Sequence, residues 1–185
     1  MTEIKYKIEF FSNWHCGSGL AAGADVDALV VKDKDNLPFV PGKTIKGLVR
    51  EAVESIQEFK QDNKTEKIKE AFGFFDDKDN ANKGCMFFTN AELEENERKA
   101  IISNNLQKYL YIPVSQTEID DNGIACEHSL RKLETVVPCI LEGKVKDVSE
   151  DLMQDIIDAL KFIKRLGINR NRGLGRCSIK VEERK

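Results

Sequence analysis

Two stretches of this chain repeat apolar residues every three or four positions, and each leaves one apolar stripe that needs a surface to cover it. The first runs from about Thr44 to Phe59, with Ile45, Leu48, Val49, Ala52, Val53, Ile56 and Phe59 on one side. The second starts at Ser149 and Asp151, which can cap a helix, and reaches Leu166 through Leu152, Ile156, Leu160 and Ile163. Alternating segments surround them. Ile4–Phe11, Val26–Val31, Cys85–Thr89, Tyr109–Val114, Glu134–Val145 and Cys177–Val181 read as strands. The order is strand, strand, helix, several strands, helix, strand. That order predicts an α+β, ferredoxin-like (RRM-like) domain with glycine-rich loops. With no internal repeat and no linker, residues 1–185 are expected to form one domain. A polar insert at about 115–135, turning at Asp120-Asp121-Asn122-Gly123, is expected to be a hairpin.

Composition excludes several classes. The chain is 41% hydrophobic and 33% charged, as soluble globular proteins are. Its net charge of −3 means that a polyanion can be held only by a local basic face. The five cysteines, Cys16, Cys85, Cys126, Cys139 and Cys177, are scattered and form no CxxC, which argues against a zinc knuckle or a disulfide framework. Met1–Lys5 has no signal-peptide core, and no apolar run is long enough to span a membrane. A reducing cytoplasm is the expected location, with no membrane partner.

One local basic face stands out. Arg170–Arg176 reads Arg-Asn-Arg-Gly-Leu-Gly-Arg, at a helix-to-strand junction. Gly173 and Gly175 let backbone approach a ligand closely, and Arg170, Arg172 and Arg176 offer planar forks that fit phosphate oxygens. A second glycine loop, His15-Cys16-Gly17-Ser18-Gly19-Leu20-Ala21-Ala22-Gly23, has no helix directly after it and so fails the dinucleotide-binding test. Lys43, Lys46 and Arg50 share the start of the first helix, where amide dipoles favour phosphate. Trp14 is read as packed more readily than as a base-stacking ring. The charged stretch Gln61–Lys69 is read as a solvated helix continuation or loop.

Taken in order, these motifs resemble the RAMP superfamily, the RNA-binding proteins of CRISPR effector complexes. Val26–Asp33 followed by Leu37–Gly47 looks like that family's acidic strand and helix start. His15–Gly19 is similar to its first glycine loop, and Gly167–Arg176 to its C-terminal one. Phe72-Gly73-Phe74 and Lys83–Phe88 are similar to its mid-domain strand. Gly123-Ile124-Ala125, followed by Leu133–Val137, looks like the hairpin it uses as a thumb. Within the superfamily the pattern is most like the repeated backbone subunit of type III effectors.

That resemblance implies a subunit that binds a CRISPR guide RNA and cleaves paired target RNA in a metal-dependent manner. Its implied partners are guide RNA, target RNA, other effector subunits and further copies of itself. It implies Asp27 as the catalytic and metal-holding residue, with Mg2+ or another divalent cation. Such chemistry suits RNA, whose 2′-hydroxyl is the nucleophile. Asp25, two residues away, is read as solvated. The RNA contacts implied are His15, Gly17, Ser18, Gly19, Lys43, Lys46, Arg50, Arg170, Arg172, Gly173, Gly175 and Arg176. His15 also suits a structural hydrogen bond, and His128 in the insert has no assigned role. Two departures stand out: Ala28-Leu29 follows the aspartate where the family often has Asn-Pro or Leu-Pro, and the chain is short. They keep two alternatives open: a non-catalytic RNA-binding subunit of the same complex, and a repeat-RNA-processing endoribonuclease.

Overall fold

A computed structural model describes residues 2–23, 25–61, 64–76 and 80–182. Its frame is a four-stranded antiparallel sheet in the order β4-β7-β1-β8. These strands are β1 (Thr2–Phe10), β4 (Phe87–Phe88), β7 (Ile140–Val148) and β8 (Cys177–Glu182). In chain order they are the first to fourth strands of a ferredoxin-like fold, and the observed neighbours follow its strand arrangement. The central strand β1 alternates as its sequence demands: Ile4, Tyr6, Ile8 and Phe10 are buried, and on the other face Lys7 and Glu9 form ion pairs with Glu142 and Lys180 of the neighbouring strands.

Two helices cover the buried face. Helix α1 (Gly42–Lys60) turns Ile45, Val49, Ala52 and Val53 inward, and α4 (Glu150–Phe162) turns in Leu152, Ile156, Ala159 and Leu160. Each fully buried Leu or Ile contributes roughly 1.5–3 kcal/mol, so these two stripes are the main adhesive of the fold. The stripe predicted for α1 ends early, because Phe59 is 90% exposed. At the other end, Gly42 is required: a side chain there would strike the Phe88 carbonyl of β4.

The second helix is shorter than its sequence pattern suggests. It stops at Phe162, and Ile163 and Leu166 are buried from the following loop instead. The segment read as one strand over Glu134–Val145 is two, β6 (Arg131–Val136) and β7, broken at Val137–Cys139. Strand β6 pairs with β5 (Tyr111–Gln116) in a two-stranded hairpin outside the main sheet. Its tip, from Thr117 to Leu130, is almost wholly exposed and is tied by Asp120, whose carboxylate accepts the amides of Asn122 and Ile124. Val26–Val31 is no regular strand. It touches β6 through one isolated bridge, Ala28 to Leu133, and the first glycine loop through two, Val26 to Ala22 and Val30 to Gly17.

Helix α2 (Thr65–Phe72) occupies most of the charged stretch read as a solvated helix continuation or loop, of which Asp62 and Asn63 lie outside the described residues. Three further elements were not anticipated. Strands β2 (Phe74–Asp76) and β3 (Asn80–Asn82) form a small ribbon. Helix α3 (Glu95–Ser103) buries only Ile101, too little apolar periodicity to announce itself. Its one sequence signal is the acidic start, where the Glu94 carboxylate caps the amides of Asn96 and Glu97.

Candidate nucleic-acid interface

The segment after β1 and the loop before β8 meet at one end of the sheet. Gly175 donates its amide to the Asn13 carbonyl, and Ile168 donates to the carbonyl of His15. These contacts require glycine at two points. A side chain at Gly167 (φ +95°) would meet the His15 backbone, and one at Gly175 (φ +68°) would meet that of Leu166. Gly173 (φ +89°) faces open space. The loop thus locks onto the body through two glycines and turns Arg170, Arg172 and Arg176 outward, all exposed.

His15 belongs to the floor of this region. It is 1% exposed, and its Nδ1 donates to the Glu134 carbonyl at 2.6 Å. With Nδ1 donating, Nε2 of the neutral ring is an acceptor. His15 lines a cleft of about 260 Å3 together with Gly17, Lys43, Thr44, Gly167 and Arg170. Burial pushes the neighbouring Cys16 thiol up to about 12, so this cleft holds no ready thiolate beside the histidine. Trp14 is fully buried and stacked on Phe10 at 4.5 Å, which removes it as a base platform. Gly17 and Ser18 form the loop edge along Val30 and Leu29, where the Ser18 hydroxyl donates to the Leu29 carbonyl at 3.0 Å. Gly19 (φ +80°) turns the chain with nothing near it.

The three basic residues of α1 separate. Lys43 is exposed and reaches the cleft. Lys46 donates to the carbonyls of Lys83 and Met86, and burial holds its ammonium below the usual lysine value. Arg50 donates to the Gly73 carbonyl and pairs with Glu54. Lys46 and Arg50 therefore tie α1 to the 73–86 segment. Sequence alone shows that they share a helix face, not that backbone carbonyls already occupy it.

Asp27 stands at the root of the β5–β6 hairpin. Its amide donates to the Lys132 carbonyl at 2.9 Å, and its Oδ2 accepts the Lys132 amide at 2.7 Å. The residue is otherwise exposed. Asp25 is also exposed, and no cluster of three or more His, Cys, Asp or Glu suited to a metal exists among the described residues. The described residues therefore build no closed metal cage. One carboxylate with a free oxygen fits an ion shared with RNA phosphates and water, as Mg2+ commonly is. Exposed His128, in a left-handed turn of the hairpin tip, does not line the His15 cleft.

The hairpin also touches the arginine loop. Asn169 donates to the Gln116 side chain at 2.9 Å, and a second cleft, of about 830 Å3, lies between Arg172 and the hairpin residues Gln116, Ser129 and Arg131. Ion pairs occupy much of the open face of the sheet, and several cations at the cleft end lack one among the described residues. On the open face of the sheet, Lys7 pairs with Glu142, Lys180 with Glu9 and Lys144 with Glu3. Around the clefts, Lys43, Arg131, Arg170, Arg172 and Arg176 have no ion-pair partner among the described residues. A ferredoxin-like sheet that stacks RNA on exposed rings needs aromatics on its central strands. Here those positions carry charged and aliphatic side chains, several in ion pairs, and the unpaired cations around the clefts come from the start of α1, the start of β6 and the loop before β8.

A ferredoxin-like domain crowned by two glycine-rich loops and a projecting hairpin is the class these elements define. Residues 7–178 match the RAMP superfamily, and the chain belongs to it. No curated protein matches the sequence at a significant level. Among solved structures, a chain of the cryo-EM structure of Type III-B Cmr-beta bound to cognate target RNA superposes with a TM-score of 0.72 at 12% identity, covering 98% of this chain and 97% of that one. A chain of the apo Cmr-beta structure gives 0.74 at 13%, with the same coverage. At such identity the likeness shows the fold. No described helix is long and apolar enough to cross a membrane.

Proposed function

We propose that this chain is an RNA-binding subunit of a type III CRISPR effector complex, holding guide RNA on its loop crown and cutting paired target RNA at Asp27. The observation that carries the reading is the set of unpaired cations, Lys43, Arg131, Arg170, Arg172 and Arg176, gathered around two clefts at one end of a RAMP fold. Phosphate contacts of this kind position a strand without reading its sequence. The fold-level likeness to a chain of Cmr-beta, a structure described with cognate target RNA, supports the same assembly and partners.

In this reading Gly17, Ser18, Gly19, Gly173 and Gly175 shape the track, and Lys43 with the loop arginines neutralises the guide backbone. The hairpin over Gln116–Arg131 engages the guide–target duplex. Asp27, fixed to Lys132 through backbone, faces the strand passing the hairpin root. A divalent cation, when bound there, stabilises charge on the scissile phosphate. Asp27 helps to hold it and to align the 2′-hydroxyl of the target, which displaces the 5′-oxygen and leaves a cyclic phosphate. A non-cleaving subunit is the second reading, favoured by the single carboxylate. A repeat-RNA-processing nuclease needs histidine or lysine acid–base groups near the first helix, where His15 is buried and Lys43 is exposed.

The test is labelled target RNA incubated with the assembled complex, with and without Mg2+. Asp27→Ala is expected to slow cutting by about 100-fold or more while guide and target affinities stay within about twofold. Cutting at the wild-type rate would favour the non-cleaving subunit.

A further inference from the structure

Glu134 meets four other parts of the site. Its carboxylate accepts the Val30 amide at 3.0 Å through Oε2 and the Lys32 ammonium at 2.8 Å through Oε1. Its backbone amide donates to the Ala28 carbonyl, and its own carbonyl takes the His15 Nδ1 proton. Lys32 in turn lies 3.9 Å over the ring of Tyr111, the residue that opens β5. The side chain of Glu134 is only 14% exposed, so its charge is held by these partners and not by water.

We infer that Glu134 is the positioning residue of the Asp27 segment: its carboxylate clamps Val30 and Lys32 and so sets where Asp27 stands against the hairpin root. The need for such a clamp follows from the backbone. Residues 26–31 form no regular strand and hold to β6 through the single isolated bridge of Ala28 to Leu133, their other bridges running to Ala22 and Gly17. The Asp27 carboxylate ties one end of this segment to Lys132, and the Glu134 carboxylate is the side-chain anchor that ties the other end, at Val30, to the hairpin. Since Glu134 also carries the bond to His15, one residue joins the first glycine loop, the acidic segment and the hairpin. This inference rests on Asp27 being the reacting carboxylate.

Two readouts test it. In the full chain, hydrogen exchange of amides 27–31 should rise by about tenfold or more in Glu134→Ala, with β1 and β8 unchanged and most of the protection restored in Glu134→Gln. In the assembled complex, Glu134→Ala should slow single-turnover cutting by about 10- to 100-fold with target affinity within about twofold, and should add nothing to Asp27→Ala. Unchanged exchange over 27–31, or a rise spread evenly through β1 and β8, overturns the positioning role. Normal cutting by Glu134→Ala overturns it as well. If the wild-type complex cuts nothing, the proposed cleavage fails on its own, and the exchange pattern still decides the clamp.

Discussion

In the loop before β8, Gly167 and Gly175 sit where any side chain would run into backbone, at His15 in one case and at Leu166 in the other. In the loop after β1, Gly19 and Gly23 have left-handed backbone but nothing within reach of an added methyl group. The two stretches look alike on paper. The first uses glycine to let two chain segments touch, which fixes the arginines that follow. At Gly19 and Gly23 the second uses it only to turn, and its shape is held by the Ser18 hydroxyl on the Leu29 carbonyl and by backbone bonds to Leu29 and Val26. A glycine count alone does not say which kind of loop a sequence encodes.

Alanine at Gly175 or Gly167 is expected to break the comparison most visibly. Each combines a positive φ with a backbone clash, for a cost of about 3 kcal/mol and a fall in melting temperature on the order of 10 °C. Thermal unfolding of the two variants checks this, and a fall under a few degrees would mean that the loop is not locked. Gly19→Ala carries only the conformational cost, about 1 kcal/mol, and its melting temperature should drop by roughly 2–4 °C. A loss equal to that of Gly175→Ala would erase the distinction.

Acid should sharpen it. Asp33 follows the first loop; burial opposes its charge, but the Leu37 and Asp35 amides and Arg98 outweigh that and hold its carboxyl below the ordinary value. A depressed carboxylate stabilises the fold above the ordinary value, about 4, and that contribution is lost as pH falls through the depressed one. Amide protection around residues 30–37, relative to the intrinsic exchange rate at each pH, should therefore fall earlier on acidification than that of 167–176. Simultaneous loosening of both segments would contradict the assignment.

The frame of the fold was legible because burial imposes a period. β1, α1, α4 and β8 each hide one face against the sheet or the helices, and their residues repeat accordingly. What escaped is what lacks that constraint. α3 buries a single isoleucine, and the 26–31 segment has the residues of a strand without a regular ladder. At the candidate site, the positions of Asp27 and the arginine loop followed from order along the chain and family resemblance. Trp14 is packed and His15 makes a structural hydrogen bond, as the sequence reading allowed, but nothing local reveals that Lys46 and Arg50 spend their donors on carbonyls. Glu134 was invisible for the same reason: its partners lie about a hundred residues away in sequence, at Val30 and Lys32.

The central claim is that RNA is held by the arginines displayed on the locked loop, and a salt titration tests it most directly. Binding of single-stranded RNA to the full chain should weaken steeply with salt, because phosphate neutralisation releases counterions. Replacing Arg170, Arg172 and Arg176 together by alanine should leave the melting temperature in place and make the slope of log affinity against log salt shallower by about 2, at roughly 0.7 per lost phosphate contact. An unchanged slope and affinity in the folded triple variant would remove this loop from the RNA path.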